Sequence, residues 1–509
     1  MSTFYRSTRS SSEQSVSFED AVITGLAKDG GLFIPSDIPT LPSDFTSKWS
    51  NLSFEELAFS ILRLYIDNSE IPDADLKVLI SKSYSTFRSK DVTPLVKLDS
   101  DPNLYLLELF HGPTYAFKDV ALQFVGNLFE YFLTRKNADK KEGEPRDFIT
   151  VVGATSGDTG SAAIYGLRNK KDVSVFILYP TGRVSPLQEQ QMTTVLDENI
   201  HTLSVKGTFD DCQDLVKQVF NDKEFNSQYH IGAINSINWA RILAQITYYF
   251  HAYFQLTRQL SEADKKSFKL KFVVPSGNFG DILAGFYAKQ MGLPVDELVV
   301  ATNDNNILNR FLNTGKYDKV AEVKPTYSPA MDINVSSNFE RFLWYMIKNT
   351  SAGGDSLKAG SQLATFMSDL SSKGVFNVAP ETLKAAQSVL DSATITDPET
   401  VKTIKETYQK TSNNYILDPH TAVGIATANA KIAKDSDASV KYISLSTAHP
   451  AKFSEVVNEA LGEFSAYSFE KDVLPDELKK LSTLPKKIKL IDQADLKVIE
   501  STIVSELNK

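Results

Sequence analysis

Cysteine is almost missing from this chain of 509 residues: Cys212 stands alone. No intramolecular disulfide can form, which fits a reducing compartment. Acidic neighbours in Phe209-Asp210-Asp211-Cys212-Gln213-Asp214 discourage a thiolate, so Cys212 reads as structural. Histidine is scarce too. There are six, with no His-Glu-x-x-His pair and no Cys cluster to join them, so a zinc site has no support. Long apolar runs are absent, and no stretch approaches the roughly 20 residues of a membrane span. Basic residues are not in excess. A net charge of -9 and a pI near 5.4 exclude the basic face of a nucleic-acid binder, while a small anionic ligand stays possible through a local pocket. Met1 to Ser12 is rich in Ser and Arg but lacks the apolar segment of a secretory leader, and the acids from Glu13 onward argue against a mitochondrial one. A cytoplasmic protein is expected. Without a leader, the glycosylation patterns Asn51-Leu52-Ser53 and Asn334-Val335-Ser336 carry no weight.

What is present is a change of texture along the chain. Residues 1–95 read as a helical preface, with helical spacing over Phe18 to Ala27 and Phe54 to Ile66. Apolar strand runs then alternate with helical patterns, at Leu104–Phe110, Phe148–Val152, Val173–Tyr179, Leu270–Val274, Leu298–Thr302 and Tyr442–Leu445. Continuous apolar strands separated by helices predict an α/β fold with open, mostly parallel sheets covered on both faces. This core spans 96–330, with a smaller lobe over about 126–240, and resumes at 411–465. The stretch 331–410 reads as a long, polar, helical insertion that decorates the core. Residues 466–509 read as a docked tail.

The chemistry-bearing residues sit where strands end. In parallel α/β sheets, ligands bind at the carboxyl ends of the strands, beside unpaired N–H groups at helix N-termini. Lys118 follows the run Leu104–Phe110, in His111-Gly112-Pro113-Thr114-Tyr115-Ala116-Phe117-Lys118-Asp119, and a strongly amphipathic helix is expected after it. A desolvated lysine has a lowered pKa and can act as nucleophile, base or Schiff-base former with pyridoxal phosphate. Three further loops follow strands: Gly153-Ala154-Thr155-Ser156-Gly157-Asp158-Thr159-Gly160, Ser276-Gly277-Asn278-Phe279-Gly280-Asp281 and Ser446-Thr447-Ala448-His449-Pro450-Ala451-Lys452. Neither glycine loop fits a Walker A or G-x-G-x-x-G pattern, so nucleotide binding is not indicated. Taken alone, each is also a helix N-cap with turn glycines. A fourth block, Asn235-Ser236-Ile237-Asn238-Trp239-Ala240-Arg241, precedes an apolar helix over Ile242 to Phe254. Arg241 at a helix start meets an unfavourable dipole, which an anion would offset. The plainer alternatives are an arginine lying over Trp239 or a structural salt bridge.

Together, and in this order, these blocks resemble the threonine synthases, pyridoxal-phosphate enzymes of the two-lobed fold type II (tryptophan synthase β-like). Asp29-Gly30-Gly31-Leu32-Phe33-Ile34-Pro35 is similar to the family's N-terminal region, and the 331–410 insertion resembles its longer microbial and fungal branch. The resemblance implies that Lys118 carries pyridoxal 5'-phosphate, that Ser276, Gly277, Asn278, Phe279 and Gly280 cradle its phosphate, and that Thr447 faces the ring nitrogen. It places Ser156, Asp158 and Thr159 near the ring and substrate, with Asp158 where sister enzymes commonly have Asn. Ser236, Asn238 and Arg241 would hold the substrate phosphate, with His449 and Lys452 near enough to contribute. The implied reaction turns O-phospho-L-homoserine and water into L-threonine and phosphate in a monomer or homodimer. A phospholyase or threonine dehydratase on the same fold, or a non-catalytic binder of a phosphorylated ligand, are the alternatives.

Overall fold

The computed structural model describes residues 4–141, 143–435 and 437–508; residues 1–3, the head of the Ser- and Arg-rich stretch weighed above as a leader, lie outside it. Two open sheets carry the chain. The larger runs, edge to edge, Leu390–Thr394, Glu297–Thr302, Lys269–Pro275, Val440–Ser446, Leu104–Glu108 and Leu95–Lys97; only the last pair is antiparallel. The smaller runs Lys489–Ile491, Ile200–Val205, Val173–Pro180, Ile149–Ala154 and Ile231–Gly232, all parallel. All six predicted strand runs are strands, and nearly all their interior residues are buried, as two-sided coverage by helices requires. The sheet order decides where the site forms. Val440–Ser446 lies between Lys269–Pro275 and Leu104–Glu108, so the loops after Pro275, Ser446 and Glu108 open side by side.

The helix after Lys118, Lys118–Asn137, differs from expectation. Every residue from Lys118 to Phe129 is buried, so its start is a core helix rather than an amphipathic one. Its partner is the helix Asp158–Leu167 of the smaller lobe. A Cβ at Gly126 would stand 1.9 Å from the Gly166 carbonyl oxygen, so the two backbones touch. Only glycine permits that approach.

Two regions do more than the sequence suggested. The stretch 331–410 is not mere decoration: it contributes the edge strand Leu390–Thr394 to the larger sheet. Its first helix, Phe339–Asn349, buries Phe342, Leu343, Trp344 and Ile347 in the main core. The tail adds Lys489–Ile491 to the smaller sheet, beside Ile200–Val205. Cys212 is buried, and burial with Asp211 nearby pushes its thiol up to about 11, in keeping with a structural role. No described helix is long and apolar enough to cross a membrane. Among the described residues no His, Cys, Asp or Glu group forms a metal cluster.

Candidate active site

Lys118 opens its helix at 8% exposure, with Nζ 5.3 Å from the centre of the Phe117 ring. The residues before it are pinned to the third loop. Phe117 N–H donates to the Thr447 carbonyl (2.8 Å), Ala116 bridges Ala448, and His449 N–H donates to the Tyr115 carbonyl (3.1 Å). Thr447 therefore lies directly beside the lysine loop, itself buried at 7%. Asp119 ties the same loop from below, accepting from Thr114 N–H (2.7 Å) and Thr114 Oγ1 (2.6 Å). Burial pushes the Lys118 amine down to about 8. Asp158 opposes that shift, while Lys452 and Arg241 reinforce it. A cation without water and with two other cations near it releases its proton readily.

Asp158 caps the smaller lobe's contribution. It sits in the first turn of Asp158–Leu167, buried, with Oδ1 2.6 Å from Lys452 Nζ and accepting from Gln188 Nε2 at 2.8 Å. Burial opposes its charge, but Lys452 and Lys118 outweigh burial and hold the carboxyl far below the usual range. Lys452, fully buried, also donates to the Thr114 carbonyl at 2.8 Å. Gly157 has φ 152°, and a Cβ there would fall 2.5 Å from the Gln188 carboxamide. Thr155 Oγ1 folds the loop by accepting from Gly157 N–H (3.0 Å) and Gly160 N–H (2.8 Å). Ser156 is exposed and Thr159 half-buried on the same turn.

The loop Ser276–Gly280 has the form of an anion cradle. Ser276 Oγ is buried without a partner. Among the described residues no acceptor meets the N–H groups of Gly277, Asn278, Phe279 or Gly280. Phe279 takes φ 63°, which turns the chain into the helix Gly280–Met291. Successive amides around such a left-handed residue at a helix start form a nest for a phosphate. Gly277 cannot be larger: a Cβ would stand 2.9 Å from Met331 Cα. The 331–410 stretch braces the cradle from outside, through Ser336 Oγ to the Gly277 carbonyl (2.6 Å) and Asn338 to the Asn278 carbonyl.

The fourth block meets this cradle edge on. Asn338 Nδ2 bridges the carbonyls of Asn278 and Ser236, each at 3.0 Å, and Ser236 Oγ is 3.2 Å from Ser337 Oγ. Arg241 lies in the first turn of Trp239–Gln259 at 3% exposure. Its Nε and Nη1 are buried without a hydrogen-bond partner, and burial pushes the guanidinium down to about 10. Neither plainer alternative for Arg241 holds: it is not at the surface, and among the described residues it forms no ion pair. It is Arg341 whose guanidinium approaches the Trp239 ring. Asn238 is spent within the protein. Its Oδ1 caps the helix at Ala240 N–H (3.0 Å), and its Nδ2 donates to the Val22 carbonyl (2.9 Å). It frames the Arg241 block rather than reaching into open space. Below the cradle, Tyr248 and Tyr249 donate to Asp281 at 2.6 and 2.9 Å, and burial lifts that carboxyl to about 6.

Sequence reasoning missed these braces from 336–338, as well as Gln188, Glu477 and Gln191, whose Nε2 donates to the Thr114 carbonyl at 3.2 Å. Glu477, in the tail, accepts from the Tyr115 hydroxyl and pairs with Arg88, whose guanidinium lies 3.7 Å from the centre of the Tyr115 ring. His449 is wedged against Phe110 and Tyr115, and burial with His111 nearby lowers its imidazole to about 4, so it is neutral.

Comparison with known proteins gives a consistent set of likenesses. Residues 4–84 match the family described as threonine synthase N terminus, 88–444 the pyridoxal-phosphate dependent enzymes, and 421–503 the threonine synthase C-terminal family. The chain is 62% identical to threonine synthase of Saccharomyces cerevisiae, over all of this chain and 99% of that one. It is 42% identical to threonine synthase of Pseudomonas aeruginosa, over 94% of this chain and 97% of that one. The crystal structure of the yeast enzyme superposes with a TM-score of 0.96 at 61% identity, covering 100% and 99% of the two chains. The pyridoxal-phosphate-bound threonine synthase from Brucella melitensis does so with a TM-score of 0.86 at 38% identity, covering 99% of each.

Proposed function

We propose how this site works from one premise: the chain belongs to the threonine synthase family of pyridoxal-phosphate-dependent enzymes. It is a lyase that forms threonine from a small-molecule substrate. The residues present fit the cofactor. A buried lysine with a depressed pKa, a nest of free amides beside an unpartnered Ser276 hydroxyl, and glycine where a Cβ would strike Met331 are what a phosphorylated aldehyde requires. Lys118 would attach it, Ser276, Gly277, Asn278, Phe279 and Gly280 would hold its phosphate, and Thr447 would face its ring nitrogen. A hydroxyl there cannot act as a counter-ion to a protonated ring. When bound, pyridoxal phosphate supplies the electron sink that lets a proton leave carbon α of an amino acid.

The substrate in this reading is O-phospho-L-homoserine. The single observation that carries it is Arg241: a buried guanidinium with empty donors, one block away from a cradle already suited to a first phosphate. A dehydratase or a β-eliminase acting on an unphosphorylated amino acid has no use for that second grip. Arg241 and Ser236 would hold the substrate phosphate, with Asn238 fixing the helix start that presents them. Ser156 and Thr159 would face the rest of the substrate. Once the substrate amine has taken its place, the Lys118 amine would take the proton from carbon α; a proton would then leave carbon β as phosphate departs carbon γ held by Arg241, carbon γ would gain a proton, and water would add at carbon β. Lys118 would then return a proton to carbon α. With an amine near pH 8, a useful fraction of Lys118 is neutral at physiological pH, as a base requires.

The test is direct. The protein supplied with O-phosphohomoserine should release phosphate and threonine in equal amounts. Borohydride reduction followed by mass mapping should place the pyridoxal group on Lys118. Keto acid in place of threonine would favour a phospholyase, and turnover in Lys118→Ala near that of the natural protein would sink the mechanism.

A further inference from the structure

The Asp158–Lys452 pair has a property that the roles assigned so far do not use. An ionised carboxylate only accepts hydrogen bonds, whereas an ammonium has three protons to donate. Asp158 Oδ1 already accepts from Gln188 Nε2 at 2.8 Å and forms an ion pair with Lys452 Nζ at 2.6 Å. Lys452 Nζ donates to the Thr114 carbonyl at 2.8 Å and lies 2.6 Å from Asp158 Oδ1; among the described residues no other acceptor meets it, although the ammonium has a third proton. The side chain is 0% exposed. Both partners lie close enough to Lys118 to act on its charge. They come from opposite lobes: Asp158 from the strand end at Ala154, Lys452 from the strand end at Ser446.

A pyridoxal ring bound at Lys118 brings a ring oxygen that is ionised or shares its proton. Such an oxygen needs a donor, and Asp158 would repel it. We propose that Lys452 is a further binding residue of this site, its ammonium held between Asp158 and Thr114 so that the remaining N–H donates to the ring oxygen of the cofactor. Asp158 is then a positioning residue: it fixes the ammonium and balances its charge. The lobes are joined by the same contact, because the donor belongs to one and its counter-charge to the other. The inference rests on the reading of Lys118 as the attachment residue.

Two aldehyde-free analogues test it on cofactor-free protein: 4-deoxypyridoxine 5'-phosphate, which keeps the ring hydroxyl, and the same molecule without that hydroxyl. Neither can bond to Lys118, so binding reports the contact alone. Lys452→Met should weaken the hydroxylated analogue by about ten- to hundredfold, the span of one charge-assisted hydrogen bond, and leave the other within about twofold. Asp158→Leu/Lys452→Met removes both charges together, guards against a variant that fails to fold, and should show the same selective loss. Asp158→Asn/Lys452→Met restores a neutral donor and should recover most of the preference. Equal weakening of both analogues, or of neither, overturns the proposal. If Lys118 itself is misassigned, borohydride leaves it unlabelled whatever the analogues do.

Discussion

Replacing Arg241 by Met should do two opposite things. Methionine nearly matches arginine in volume, so the cavity term is small, and the change mainly removes a charge. In the ligand-free protein that charge is a burden. Burial drops the guanidinium to about 10, and two to three pH units below its ordinary range correspond to ~3–4 kcal/mol. The sign follows from a cation whose pKa is lower folded than unfolded: folding is penalised wherever it must stay protonated, at every pH below about 10, and the penalty fades only above that. Cofactor-free Arg241→Met should therefore resist urea better than the natural protein at neutral pH, by ~1–3 kcal/mol after lost stem contacts. Catalysis should move the other way. Two charge-assisted hydrogen bonds from Nε and Nη1 at ~1.5–3 kcal/mol each predict a fall in kcat/KM of between about a hundredfold and ten-thousandfold. Inorganic phosphate at about a hundred times its Kd should add ~2.7 kcal/mol to the stability of the cofactor-loaded natural protein and nothing to that of the variant. A cofactor-free variant less stable by more than ~1 kcal/mol would show that Arg241 is a structural cation, and equal stabilisation of both proteins by phosphate would show that the anion binds elsewhere. Either result refutes the reasoning.

Three other outcomes follow from the same geometry. In cofactor-free protein, labelling of Lys118 by an amine reagent should rise half-maximally near pH 8, not at the higher pH of an exposed lysine, because the folded state favours the neutral amine; rates by mass spectrometry across pH 6 to 11 check this. Gly277→Ala should cost ~1–3 kcal/mol of urea stability and loosen pyridoxal phosphate, since its Cβ would press on Met331 Cα at 2.9 Å and Ala330 O at 3.2 Å. Arg341→Met should destabilise by ~3–5 kcal/mol, measured by the same urea titration as Arg241→Met.

How much of this was legible in the chain depended on where each contact was made. The six predicted strands were readable because both faces are covered, leaving runs such as Phe272-Val273-Val274 with no polar member. Ile200–Val205 hid because His201, Thr202 and Ser204 break the run, yet every residue in it is buried and the polar groups find partners inside. Leu390–Thr394 hid because an edge strand needs only one good anchor, here Leu390. The polarity of Ser356–Lys373 coloured the reading of the whole stretch 331–410 and masked Phe339–Asn349, which is core. The cradle, the lysine loop and the Arg241 block were readable because glycine and strand ends are local signals. Asn338 and Glu477 were not, since nothing local marks a residue whose role is to touch a carbonyl or hydroxyl from a distant part of the chain.

Arg341 and Arg241 show why burial alone does not find a ligand site. Both are fully enclosed, both are driven to about 10 by desolvation, and each lies within reach of the region around Trp239. Only their hydrogen bonds differ. Arg341 donates Nε to the Phe33 carbonyl at 2.9 Å, Nη1 to Asn338 Oδ1 at 2.6 Å and Nη2 to the Ile237 carbonyl at 2.7 Å. It joins the segment at Phe33, the Arg241 block and the brace of the phosphate cradle, and removing it would leave three acceptors without their donor at once, two of them buried. Arg241 leaves Nε and Nη1 empty in an equally dry place. Buried charges are as a rule hydrogen-bonded, so idle donors on a desolvated cation point to a group outside the chain. Arg341 is therefore frame, and Arg241 is the proposed receptor. Opposite stability changes in the two Arg→Met variants, one up and one down, are the quantitative form of that distinction.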